Sequence, residues 1–133
     1  MLQVEHIGIA VNSFTTSVPL FEKLLNCLCY KTETVESEQV NTAFFRTGDT
    51  KVELLESIST SGVIAQFLEK RGEGIHHIAF EVEDILAEMQ RLAAQGFAIL
   101  NEVPKRGADN KLVCFLHPKT TGGVLIELCQ EIK

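Results

Sequence analysis

Apolar and polar residues alternate along two stretches that each carry histidine. In Val4-Glu5-His6-Ile7-Gly8-Ile9-Ala10-Val11, an extended chain places Ile7, Ile9 and Val11 on one side and His6, Gly8 and Ala10 on the other. In Gly74-Ile75-His76-His77-Ile78-Ala79-Phe80-Glu81-Val82, the two sides are His76, Ile78, Phe80, Val82 and His77, Ala79, Glu81. The apolar side of each reads as a core face. The other side has small or polar residues and room for chemistry, and in the second stretch it carries His77 rather than His76.

A second pair of stretches repeats the relationship. Lys51-Val52-Glu53-Leu54-Leu55 matches Leu125-Ile126-Glu127-Leu128-Cys129. His6 recurs as His77 at an offset of 71 residues, and Glu53 recurs as Glu127 at an offset of 74. Two His-headed strands and two Glu-centred strands at nearly one spacing indicate an internal duplication.

The remaining elements fit that reading. Asn12 or Ser13 caps a helix with Phe14, Val18, Phe21, Leu24 and Leu25 at helical spacing. Pro19 lies inside this run, so the regular helix is expected to begin near it, and Asn26 to stop it. Strands are expected over 29–37, 40–46 and 51–56, with a turn at Thr47-Gly48-Asp49-Thr50. A short helix over 63–70, with Val63, Ile64, Phe67 and Leu68 on one side, leads to Arg71-Gly72-Glu73-Gly74. After the His77 strand, Asp84 caps a helix over 85–95 with the stripe Ile85, Leu86, Met89, Leu92 and Ala93, stopped by Gly96. Strands follow over 97–102, 111–117 and 123–130, with a loop at 104–110. The pattern gives one α+β domain over 1–133: module 1 about 1–57, a linker helix about 58–73, and module 2 about 74–133. Each module reads β-α-β-β-β.

A chain of 133 residues with 45% hydrophobic content suits one globular domain. Its longest apolar runs fall short of the roughly 20 residues a membrane helix needs. Met1-Leu2-Gln3-Val4-Glu5-His6 lacks a basic start and an apolar signal core, so a cytoplasmic protein is expected. Cys27 and Cys29 are too close for the spacing of zinc or redox pairs, and with Cys114 and Cys129 they read as free thiols. A net charge of −6 argues against nucleic-acid binding.

His6, Glu53, His77 and Glu127 are the polar residues that interrupt apolar strands. A buried, unpaired carboxylate costs several kcal/mol or takes up a proton. Four such residues, two per repeat, relieve that cost together around a divalent cation. Two neutral imidazoles and two carboxylates balance a 2+ charge, and their N/O donors suit Co, Zn, Ni or Mn as well as Fe(II).

The motifs carry a family resemblance. His6-Ile-Gly-Ile-Ala-Val, Lys51-Val-Glu-Leu-Leu-Glu, the run from Phe67 through His76-His77 to Val82, and Phe115-Leu-His-Pro-Lys-Thr-Thr-Gly-Gly-Val-Leu-Ile-Glu-Leu are similar to methylmalonyl-CoA epimerases. These belong to the vicinal oxygen chelate superfamily. The resemblance implies two βαβββ modules forming an eight-stranded, partly open barrel-like sheet around a metal cavity. It implies His6, His77 and Glu127 as metal ligands, with the fourth falling on Glu53, and a homodimer. The implied reaction is epimerisation at C2 of methylmalonyl-CoA through a metal-stabilised enolate, with Glu127 as one acid/base and Glu53 as a weaker candidate. Some family members place a further carboxylate on the strand before the Glu53 strand. Here that stretch reads Val40-Asn41-Thr42-Ala43-Phe44-Phe45, with no acid.

CoA is an anionic handle, and 104–119 holds Lys105, Arg106, Lys111 and Lys119 against one acid, Asp109. These four are the expected contacts to its phosphates. Two other functions fit the same fold: glyoxalase I-type isomerisation of a glutathione hemithioacetal, and metal-free sequestration of a small antibiotic. The extended match over 67–82 favours the epimerase over the first, and the four intact ligand candidates weigh against the second.

Overall fold

The structure is a computed structural model that describes all residues, Met1–Lys133. Contacts gather the chain into two compact units, His6–His76 and Met1–Glu5 together with His77–Lys133. None of the helices is long and apolar enough to cross a membrane.

The first unit takes in β1 (Gln3–Val11) from His6 onward, α1 (Phe14–Leu25), β2 (Lys31–Val35), β3 (Val40–Thr47), β4 (Thr50–Ser57) and α2 (Val63–Arg71). Its strands lie in the order β2-β3-β4-β1. β1 and β4 run parallel, with Gly8 opposite Glu53, and the other pairs are antiparallel. Alternation divides the side chains between two faces. Val11, Ala43, Phe45 and Leu54 meet Phe14, Val18, Phe21 and Leu25 of α1. The opposite face carries His6, Gly8, Ala10, Thr42, Phe44, Glu53 and Leu55. At one end of that face, Ile64, Phe67 and Leu68 of α2 cover Ala10, Val40 and Leu55. The helix expected to be a linker therefore contributes to this unit's core.

The second unit repeats the plan with β5 (Gly74–Glu81) from His77 onward, α3 (Ile85–Ala94), β6 (Lys105–Arg106), β7 (Lys111–Leu116) and β8 (Ile126–Glu131). The order is β5-β8-β7-β6, with β5 parallel to β8 and Ala79 opposite Glu127. Under α3 lie Val82, Cys114, Leu116 and Leu128, packed on Ile85, Met89 and Leu92. On the other face Ala79, Val113 and Cys129 pack together, in line with His77, Phe115 and Glu127. The first residues of β1 belong here, and the Leu2 N–H donates to the Glu81 carbonyl at 2.8 Å. The fold is thus α+β, built of two βαβββ modules, as the sequence pattern predicts.

Several boundaries differ from expectation for identifiable reasons. α1 begins at Phe14, because the Ser13 hydroxyl accepts the Thr15 N–H at 3.2 Å and fixes the first turn. Pro19 is held inside the helix on its exposed side, and Thr15, whose carbonyl loses its helical donor, is exposed as well. Asn26 does end the helix, in the left-handed region at φ 55°. The expected 29–37 strand shrinks to 31–35, since Glu36–Glu38 turn into a 3-10 helix.

The expected 97–102 strand is absent. That segment keeps one bridge, Ile99 to Leu116, while side chains of Asn101 and Thr120 take the Phe115 and Ala98 N–H groups. The module's second strand forms later, at Lys105–Arg106. Gly107 then admits the chain against Val113, where a Cβ would sit 3.1 Å from both Val113 methyls. Gly122 and Gly123 adopt positive φ, so β8 starts at Ile126 rather than at 123. Leu24, Leu86, Val63 and Ala93 face outward instead of joining the helical stripes.

Leu54 and Leu128 hold equivalent places, both wholly buried between sheet and helix. Leu54→Ala and Leu128→Ala are each expected to lower the unfolding free energy by about 2–5 kcal/mol in urea titrations. A loss below about 1 kcal/mol at either site would contradict the assigned packing.

Candidate functional site

Two matching half-sites lie on the sheet faces turned away from α1 and α3. In the first unit, His6 precedes by two residues the glycine paired with Glu53, so both side chains share one face of adjacent parallel strands. His6 Nε2 and Glu53 Oε1 are 3.3 Å apart. In the second unit, His77 precedes by two residues the alanine paired with Glu127. His77 Nε2 and Glu127 Oε1 are also 3.3 Å apart. Relative exposures are 6% for His6, 4% for Glu53, 4% for His77 and 6% for Glu127.

This burial reverses one sequence expectation. The polar faces of β1 and β5 are the more deeply buried ones: His77 and Ala79 are buried, while His76, Ile78 and Phe80 are half-buried. The apolar faces are only partly covered by their helices. The periodicity identified the two faces correctly and ranked their burial wrongly.

The donors fit a divalent ion. Two ligands about 2.1 Å from one ion, at roughly 90–109° to each other, lie about 3.0–3.4 Å apart. The 3.3 Å separation in each half-site falls in that range. Each half-site alone offers an imidazole and a carboxylate, two donors where metal centres commonly take four or more.

His76 plays a different part from its neighbour. Its ring meets Phe67 edge-on, 5.0 Å between centroids, and Arg71 lies over the other ring at 5.8 Å. Burial depresses its pKa to about 4. The cysteines are all free, as expected. Burial, reinforced by the Glu127 carboxylate, pushes the Cys114 thiol up to about 11 and raises Cys129 as well. Neither offers a thiolate nucleophile at neutral pH.

The four expected phosphate contacts do not form one basic surface. Alternation along β7 puts Lys111 on the same face as Val113 and Phe115, where it is buried. Lys105 is half-buried on β6, and the exposed Arg106 donates to Asn110 Oδ1 at 3.2 Å. Lys119 is exposed in a 3-10 turn capped by His117 Nδ1, which accepts the Lys119 N–H. Two neighbours of the glutamates escaped the sequence reading. Phe44 is paired with Glu53, and Phe115 with Glu127. The two hairpins differ in loop length, so this shared register has no fixed spacing in the sequence.

Comparison with known proteins bears on the family and the fold. Residues 5–115 match the model of the glyoxalase/bleomycin resistance protein/dioxygenase superfamily. An uncharacterized protein, YqjC, of Bacillus subtilis is 39% identical over 98% of this chain and 93% of its own. An ethylmalonyl-CoA/methylmalonyl-CoA epimerase of Cereibacter sphaeroides is 38% identical over 96% of this chain and 97% of its own. Among solved structures, a Streptomyces coelicolor methylmalonyl-CoA epimerase variant in complex with 2-nitronate-propionyl-CoA aligns with a TM-score of 0.93 at 31% identity. It covers 100% of this chain and 99% of its own.

His76 carries a pH consequence. The unfolded chain takes up a proton near pH 6.5, while the folded chain resists it until about pH 4. The unfolded state therefore gains protons first, and stability falls as pH drops from about 6.5 to 4, by up to ~3 kcal/mol. Denaturant melts of His76→Phe are expected to show a shallower decline across that window. An identical decline in both proteins would contradict the assignment.

Proposed function

The chain belongs to the glyoxalase/bleomycin resistance protein/dioxygenase superfamily, and from that premise we propose that it epimerises methylmalonyl-CoA by moving the proton at C2. The observation that carries this reading is the repeated buried His–Glu pair, in a chain 38% identical to a named epimerase of the same length class. The relatives named as methylmalonyl-CoA epimerases match nearly all of this chain, which favours that reaction over hemithioacetal isomerisation or antibiotic binding.

His6, Glu53, His77 and Glu127 together would hold one divalent ion. The ion would supply Lewis-acid stabilisation of the negative charge that reaches the thioester oxygen when C2 loses its proton. Glu127 takes that proton from one face of C2, and Glu53, in the form that carries a proton, returns one to the other face, so the two groups exchange protonation states with each turnover. Equivalent carboxylates in two duplicated modules suit a reaction whose forward and reverse directions are the same step. β3 supplies no competing acid: Thr42 faces this side, and its hydroxyl donates to the Glu33 carbonyl at 3.0 Å. The deep burial of both pairs keeps bulk water from the site, which strengthens each charge interaction. Lys105, Arg106 and Lys119 receive phosphates of the CoA handle.

Deuterium exchange at C2 of methylmalonyl-CoA in D2O, followed by NMR, tests the assignment. Wild type is expected to exchange rapidly, and Glu127→Gln to lose about 10²–10⁴-fold in rate. Full activity in Glu127→Gln would remove it as the base. The charge reversal Lys105→Glu with Arg106→Glu is expected to raise KM for the thioester several-fold with kcat little changed. An unmoved KM would place the phosphates elsewhere.

A further inference from the structure

The two half-sites are alike in their donors and unlike in the surface beside them. Next to Glu53, β1 contributes Gly8, which has no side chain, and β3 contributes Phe44. Phe44 is 0% exposed. Tyr30 packs on it at 6.2 Å between ring centroids, and the Lys31 ammonium sits 5.5 Å from its centroid. Next to Glu127, β5 contributes Ala79 and β7 contributes Phe115. Ala79 is itself 0% exposed, and Cys129 and Val113 along the same face are buried too. Phe115 alone of these apolar neighbours is half-buried rather than fully buried. It meets the His77 ring edge-on at 5.9 Å and 87°, which leaves its orientation fixed beside the half-site.

Duplicated positions would be expected to carry duplicated roles. Here one ring is fully buried beside Tyr30 and Lys31, while its counterpart next to the proposed base is only half-buried. An aromatic surface beside a buried His–Glu pair offers an apolar group a contact worth about 25 cal/mol for each Å² it removes from water. C2 of the proposed substrate carries three groups besides its proton: a carboxylate, a thioester carbonyl and an alkyl group. The two oxygen-bearing groups are drawn to the charged donors, and the alkyl group needs an apolar seat.

We infer that Phe115 is that seat: the C2 alkyl group of the acyl-CoA rests on its ring, so Phe115 determines which acyl chain length the site accepts. This rests on the epimerase reading above and adds to it the specificity between methyl and larger C2 substituents. The ring limits the alkyl group on the Glu127 side. Phe44, already covered, plays no such part. One methylene in an apolar pocket changes selectivity by roughly 10–200-fold, so a single ring is enough to separate methylmalonyl- from ethylmalonyl-CoA.

The test compares kcat/KM for these two thioesters in wild type, Phe115→Ala, Phe115→Leu and Phe44→Leu, each checked for folding by thermal melting and for bound divalent metal. Phe115→Leu keeps most of the apolar volume and carries the test should the alanine variant fail to fold. Phe115→Leu is expected to move the ethyl-to-methyl ratio toward ethyl by about tenfold, and Phe44→Leu to leave the ratio within twofold of wild type. Calorimetric binding of butyryl-CoA relative to propionyl-CoA, which needs no turnover, is expected to shift the same way. Wild-type protein that turns over methylmalonyl-CoA, with an unchanged ratio in folded, metal-bearing Phe115 variants, overturns this inference alone. Wild-type protein inactive on both thioesters overturns the epimerase reading beneath it.

Discussion

A carboxylate buried against an imidazole is the constraint on which this structure depends. Glu53 and Glu127 are buried in their strands beside the buried Leu54, Leu55, Leu128 and Cys129. Burying either group without compensation costs several kcal/mol. The parallel pairing of β1 with β4, and of β5 with β8, answers this by bringing a histidine to each glutamate at 3.3 Å. Apolar packing would be served equally well by leucine at these positions. The histidine beside each glutamate offsets part of that cost, and the divalent ion proposed above would balance both carboxylates while leaving both histidines neutral.

The rest of each unit holds these pairs in register. α1 and α3 pack on the other face of each sheet through Phe45 and Leu54, and through Cys114 and Leu128, and so support the strands that carry these pairs. α2 has no counterpart in the second unit. It covers one end of the first unit's polar face through Ile64, Phe67 and Leu68, and it buries His76 against Phe67. Duplication thus produced a common frame, and later divergence sits beside the donors: Gly8 against Ala79, and a buried Phe44 against a half-buried Phe115.

The plan of the fold was legible because it rests on period-two alternation and on the recurrence of His6 and Glu53 as His77 and Glu127. The caps at Ser13 and Asp84 were legible for the same local reason, since each side chain serves backbone N–H groups a few residues away. What escaped depends on distant partners. The 97–102 segment has strand-forming composition, but Asn101 and Thr120 take N–H groups that a ladder would use. Lys111 reads as a surface cation beside Asn110, yet strand alternation turns it inward with Val113 and Phe115. The pairing of Phe44 and Phe115 with the two glutamates is set by hairpin loops of unequal length, and no regular spacing announces it. The burial ranking of the two faces of β5 likewise depends on how completely a helix covers the apolar side, which alternation does not report.

One divalent ion held jointly by His6, Glu53, His77 and Glu127 is the proposal on which the proposed reaction rests. Calorimetric titration of metal-stripped protein with Co2+, with metal analysis of the product, measures this directly. One ion per chain is predicted, with affinity reduced at least a hundredfold by His6→Ala and, to a similar degree, by His77→Ala. Two ions per chain, or a full-affinity ion kept after either histidine is removed, would contradict the account.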